Sequence, residues 1–300
     1  MKRIGIVLGI TLPFFGCEDV IDVDLPTTET RLVVNGVLRV DLTQEFIPVE
    51  IRVSETSGFF EDNLPTQLDD NATIIYGMPD PDAPELFDTI AFSSLTEREE
   101  GSGIYVPDPN FDADQRIRTS AAVPGMVFIL IMEHRGRTYV ARTTYSPTVP
   151  IDNLEQGTET LFDEDDTEII VTITDQPEEE NYYVFEFGTG EFLALDDQFI
   201  DGQQFEFSYF IEQELDTGET LEVSILGADL QFFNYIDLIV EQTQNDGGVF
   251  EPPAATARGN VFDVTGLDNT LLFDNVNRPE AFPLGFFAVV QEFNQNLVIN

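Results

Sequence analysis

The stretch Val127-Phe128-Ile129-Leu130-Ile131-Met132-Glu133, followed across Arg135-Gly136 by the run Arg137 to Thr144, decides the fold class. Successive side chains of a strand point to opposite faces, so Phe128, Leu130 and Met132 share one face and Ile129 and Ile131 the other. Both faces are apolar, which predicts a central strand covered on each side. Glycine at 136 supplies the positive φ that a tight turn demands, so 127–144 reads as a hairpin lying in a core.

The same period of two runs outward in both directions, in short segments of Val, Ile, Phe, Tyr and Thr broken by Gly, Pro, Asn and Asp. Upstream, 31–40 and 46–54 read as a first strand pair, 72–76 as a third strand and 87–92 as a fourth, at a spacing that suits a sandwich. Downstream, Pro147 and Pro150 interrupt the pattern and the acidic run Asp163 to Asp166 follows. A domain boundary is therefore placed near residue 150, with Pro147 to Asp166 as an exposed connector. Strands resume at 168–174, 182–188, 205–211 and 221–226. Then the period changes. Leu230, Phe233, Ile236, Asp237 and Val240 recur at three and four residues, and Gly247-Gly248 stops the run, which predicts one short amphipathic helix. No repeat with a period of about 20–50 residues is present, which argues against a solenoid or propeller. The expected architecture is all-β: a β-sandwich over 31–150 and a second β-rich domain over 151–300 that carries the helix.

The chain of 300 residues, 42% hydrophobic, can fill one large or two ordinary cores. Against 57 Asp+Glu stand 13 Lys+Arg, a formal net charge of −44. Such a chain repels a phosphate backbone at long range, so nucleic acid is excluded as a partner. One Cys and one His cannot build an internal disulfide, a Cys cluster or a His-rich metal site.

At the N-terminus, Lys2 and Arg3 precede an apolar run from Ile4 to Phe15 that is too short to span a bilayer. The run ends in Phe14-Phe15-Gly16-Cys17, which resembles a bacterial lipobox. Residues 1–16 are thus expected to be a lipoprotein signal peptide, Cys17 the lipidated new N-terminus, and 17–30 a lipidated tether. Loss of 1–16 removes two basic residues and no acid, leaving a mature charge of −46. A body so anionic is expected to stand off from an anionic surface and to meet the membrane through its lipid anchor only. Glu18-Asp19, directly after the cysteine, resembles the signal that sends lipoproteins of some Gram-negative bacteria outward. The expected location is the outer membrane, facing the cell exterior.

Among chemical constellations, Asp108, Asn110, Asp112 and Asp114 alternate along one loop as calcium ligands do. Ala113 stands where an EF-hand loop needs Gly and Thr119 where it needs Glu, so the match ends after four ligands. The loop is a candidate calcium site or a plain acidic turn, and calcium is the one cofactor considered. His134, beside the Arg135-Gly136 turn, is expected at the surface, where it cannot serve as the base of a serine hydrolase. Gly188-Thr189-Gly190 reads as a hairpin turn and not as a phosphate loop. Most of the 26 Phe occupy core positions of strands, but Phe59-Phe60 and Phe232-Phe233 are adjacent aromatics beside loop or helix-start residues. One of each pair is expected to be exposed, and Phe59 and Phe60 are candidate contacts for a ligand or partner.

Several motifs in order carry a resemblance. Cys17-Glu18-Asp19 is followed by Arg31 to Gly36, then by Pro124-Gly125 with Arg137 to Ala141, and by Thr174-Asp175 with Asn181-Tyr182-Tyr183. Arg258-Gly259-Asn260-Val261 and Leu284-Gly285-Phe286-Phe287-Ala288 complete the series. Together they resemble the domain-of-unknown-function family 4249 of bacterial outer-membrane lipoproteins. The resemblance implies an immunoglobulin-like β domain followed by a second β domain, an association with TonB-dependent outer-membrane transporters, and no catalytic residues. The expectation is a surface-exposed outer-membrane lipoprotein that is not an enzyme and that captures an unidentified ligand for such a transporter or caps its pore. A calcium-stabilised β-sandwich adhesin or carbohydrate-binding module is the alternative, and a glycosidase using two of the many carboxylates a more distant one.

Overall fold

The structure is a computed structural model, and it describes residues 30–57, 63–161, 166–188, 190–211, 215–243, 256–266 and 282–300. The first half forms β1 (Leu32–Val40), β2 (Ile51–Glu55), β3 (Leu64–Pro65), β4 (Ala72–Asp80), β5 (Ala83–Glu97), β6 (Ile104–Pro107), β7 (Val127–His134) and β8 (Arg137–Thr144). The second half forms β9 (Ile151–Gln156), β10 (Thr167–Thr174), β11 (Tyr182–Glu186), β12 (Phe192–Asp196), β13 (Gln204–Ile211) and β14 (Thr220–Ala228). Helix α1 (Leu230–Thr243), β15 (Val261–Asp263) and β16 (Leu284–Val298) follow. The chain is all-β and sandwich-like, with a single α-helix among the described residues.

The 127–144 hairpin forms as its sequence dictates. β7 and β8 pair from Val127↔Thr144 to His134↔Arg137. Arg135 (φ 51°) and Gly136 (φ 68°) both take positive φ, the pattern of a type I′ turn. β7 lies between β4 and β8. Phe128, Leu130 and Met132 are buried and Ile129 and Ile131 half-buried, so one face of this central strand is sealed and the other partly covered.

Thirteen strands join in one sheet, in the order β12-β11-β14-β16-β1-β2-β6-β5-β4-β7-β8-β15 with β3 beside β2, and β13-β10-β9 form a second. A parallel bridge from Ser146 to Val290 brings the chain after β8 back to β16. The first core therefore gathers Val34, Leu38, Ile74, Phe128 and Leu130 together with Val261, Phe287 and Val289 from far along the chain. The second half is layered. Tyr183 and Phe185 of β11 and Val223 and Ile225 of β14 face Ile169, Val171 and Ile173 of the three-stranded sheet. Val184 and Leu226, pointing the other way, pack with Phe286, Ala288 and Val290 against Phe232 and Ile236 of α1.

β16 ties these layers together. Its first part runs parallel to β1, from Val33↔Leu284 to Val40↔Gln291, and its second part antiparallel to β14, from Leu226↔Glu292 to Thr220↔Val298. Phe287 and Val289 enter one core while Phe286, Ala288 and Val290 enter another, so the strand is buried on both faces.

Two expectations are corrected. The helix is present, and Asp229 caps it by accepting the Phe232 N–H at 2.8 Å. Its inward face, however, is Phe232, Tyr235, Ile236 and Val240, whereas Leu230 is 51% exposed. The first helical turn is rotated because Phe232, and not Phe233, faces Phe286. Nor is Pro147 to Asp166 a connector throughout: Ile151–Gln156 is strand β9, paired with β10, and Ile151 is buried. Among the described residues no helix is long and apolar enough to cross a membrane.

Candidate functional site

Cys17, Phe59 and Phe60 lie outside the described residues. The loop of Asp108, Asn110, Asp112 and Asp114 is well defined, because buried Gln115 pins it to β5. The Gln115 Oε1 accepts the Ser94 N–H at 2.7 Å and the Gln115 carbonyl accepts the Ser93 hydroxyl at 2.6 Å. Asp108 Oδ1 accepts the Asn110 N–H at 2.8 Å. Asp114 is taken up by Arg116, which donates Nε to Oδ1 at 3.0 Å and Nη2 to Oδ2 at 2.8 Å. The Arg116 guanidinium in turn stacks 3.9 Å from the Phe46 ring centroid. Among the described residues no three His, Cys, Asp or Glu side chains are grouped so as to hold a metal ion.

This pairing has a pH signature. The side-chain hydrogen bonds from Arg116, and then its backbone N–H, lower the Asp114 pKa to about 2. A lowered carboxylate contributes stability that is fully present above its ordinary value of 3.8 and lost as pH falls through about 2. Carbon-detected NMR should find Asp114 titrating near that value. With both Asp114 oxygens on Arg116, millimolar calcium should raise the melting temperature no more than magnesium at matched ionic strength. A calcium-specific rise that Asp112→Ala abolishes would identify the loop as a calcium site.

A second site is one that spacing could not reveal. His134 is 5% exposed, which corrects its expected surface position. It is covered because the segment carrying Gln67 and the end of β2 close over the hairpin: Nδ1 donates to the Gln67 carbonyl at 3.0 Å, and Nε2 lies 2.6 Å from Glu55 Oε1. The other Glu55 oxygen accepts Arg135 Nη2 at 2.7 Å. Beside this pair, Asp263, 2% exposed, accepts Arg137 Nη1 at 3.0 Å. These groups, with Arg31, Tyr139 and Phe282, line a cavity of about 180 Å³ at the end of the first core.

Residues of the sequence motifs meet elsewhere, and their work there is structural. Buried Asn260 accepts the Phe287 N–H at 2.9 Å and donates Nδ2 to the carbonyls of Phe287 at 2.7 Å and Arg142 at 3.1 Å. Gly285 has φ 89°, and a Cβ there would stand 1.9 Å from the Val34 carbonyl oxygen. In the second half, the Tyr183 hydroxyl donates to Asp175, whose other oxygen accepts the Gly202 N–H at 2.8 Å. Burial, and then the Asp175 carboxylate, push the Tyr183 pKa up. These motifs hold strands together.

The profile of one family, described as a domain of unknown function (DUF4249), matches residues 18–267. No curated protein matches the chain significantly.

Proposed function

We propose, from the premise that this chain belongs to the DUF4249 family, that it is a lipid-anchored accessory protein of the outer cell surface. In this reading it serves a TonB-dependent transporter by capturing ligand or capping the pore. The observation that carries the reading is the N-terminal order of Lys2-Arg3, the apolar run Ile4 to Phe15 and the lone Cys17. A polar segment then leads to a β-body whose first strand begins at Leu32. A mature charge of −46 favours a body held off an anionic surface by a tether over one lying flat against it.

Metabolic labelling with a fatty-acid probe tests the anchor. Wild type should take up label, and Cys17→Ala should lose it and either leave the membrane or accumulate as uncleaved precursor. Absence of label on wild type would overturn the lipoprotein reading. Affinity capture from detergent-solubilised outer membranes tests the partner separately. A plugged β-barrel transporter should co-purify, and its absence would leave the anchor intact and the partnership wrong.

A further inference from the structure

Beyond residue 16 the chain has 11 arginines and no lysine against 57 acidic residues. In such an excess of carboxylate, an arginine without an acidic partner is out of keeping with its surroundings. Arg39, Arg52, Arg98, Arg116, Arg118, Arg135 and Arg137 all pair with carboxylates. Among the described residues Arg31, Arg142 and Arg258 do not, and two of these, Arg31 and Arg258, are held against one ring: their guanidinium carbons lie 3.9 and 4.0 Å from the Phe282 centroid. Stacking orients a guanidinium while leaving its in-plane N–H fork free to donate.

Arg31 also lines the cavity beside His134, Arg135 and Arg137. The two carboxylates of that cavity are already engaged, Glu55 by His134 and Arg135 and Asp263 by Arg137. Three guanidiniums thus line the cavity with two committed carboxylates, and the unmatched positive charge is that of Arg31, while Arg258 stacks on the Phe282 ring that forms part of the lining. We propose that this cavity binds an oxyanion, a carboxylate or phosphate group, with Arg31 as its principal donor and Arg258 holding the Phe282 wall that presents Arg31. A planar fork matches the two oxygens of either group. Tyr139, lining the same cavity, offers a neutral donor. The field of the whole molecule repels anions at long range, so binding depends on this local excess and is short in reach.

The test uses the full-length protein in detergent, with inorganic phosphate and succinate as probes and sodium chloride holding ionic strength constant. Calorimetry should detect saturable binding of at least one probe to wild type, weakened tenfold or more in Arg31→Gln and by a smaller factor in Arg258→Gln. Arg52→Gln, at an exposed arginine that pairs with Glu50 and does not line the cavity, should bind as wild type does. Arg31 makes no ion pair among the described residues, so its replacement strands no carboxylate among them, and unchanged melting without probe confirms an intact fold. Sedimentation with phosphatidylglycerol or phosphatidylcholine vesicles separates the sources of the anion. Arg31-dependent binding to the anionic vesicles, competed by phosphate, identifies a lipid headgroup. Probe binding with no preference between vesicles identifies a soluble anion. Probe heats no different from those of chloride, with no vesicle preference, overturn the proposal, as does an Arg31→Gln variant that binds like wild type.

Discussion

A fragment spanning residues 30–150 should be unfolded, although its strands account for most of the first core. Phe287 and Val289, both 0% exposed, and Val261, 2% exposed, complete that core from beyond the cut. Burying each contributes about 1.5–3 kcal/mol, so together they amount to about 5–9 kcal/mol against a typical domain stability of about 5–15 kcal/mol. The cut also removes the parallel partner of β1 from Val33 to Val40, exposing a strand edge. Circular dichroism and amide NMR dispersion check this. A cooperative melt and a dispersed spectrum for the isolated fragment would show that the first half folds without β16. The intact protein should behave differently under limited proteolysis, with first cuts in exposed 158–161 and the nicked halves still co-migrating through β16.

The parts of this fold that can be read from the sequence are those whose cause is local. The 127–144 hairpin announces itself because alternation and a Gly turn fall within one short window, and β13 and the start of β14 show the same alternation. β16 does not. From Phe286 to Gln291 every residue is buried, so the strand shows no alternation, and its pairing with β1 joins residues separated by most of the chain. Helix α1 is visible by its period, but its facing is not, because the position of Phe286 decides which of Phe232 and Phe233 turns inward. The acidic loop displays its alternating oxygens, while the fact that Arg116 occupies Asp114 is a matter of side-chain geometry. His134 reads as a surface residue because its neighbours form a turn, and it is buried because Glu55 and Gln67 reach over it from other elements. The cavity itself draws on Arg31, Glu55, Arg137, Asp263 and Phe282, which share no spacing that a sequence pattern could capture.

Asn260→Ala should cost about 3–5 kcal/mol, a large effect for removing one amide. The side chain is 4% exposed and replaces a stretch of backbone ladder, serving the N–H and C=O of Phe287 and the C=O of Arg142. Alanine strands these three groups in a closed site, and each buried polar group left without a partner costs about 1–3 kcal/mol. The upper end of that sum is not expected, because water can reach part of the space that the amide vacates. Asn260→Asp separates hydrogen bonding from volume. Its carboxylate can still accept from Phe287 N–H but places an anionic oxygen against two carbonyls, so at pH 7 it should be at least as damaging as alanine. Once protonated, it can donate to one of those carbonyls. Its folded-state pKa must therefore lie above the unfolded value, and the interaction is regained as pH falls and lost as pH rises through the folded pKa. Urea denaturation of both variants beside wild type at pH 7 and pH 4 measures this directly. The deficit of Asn260→Asp relative to wild type should shrink at pH 4 while that of Asn260→Ala stays nearly constant. A loss under about 1 kcal/mol for alanine, or an aspartate deficit that does not respond to pH, would mean that the Phe287 backbone finds other partners and that Asn260 does not hold the start of β16.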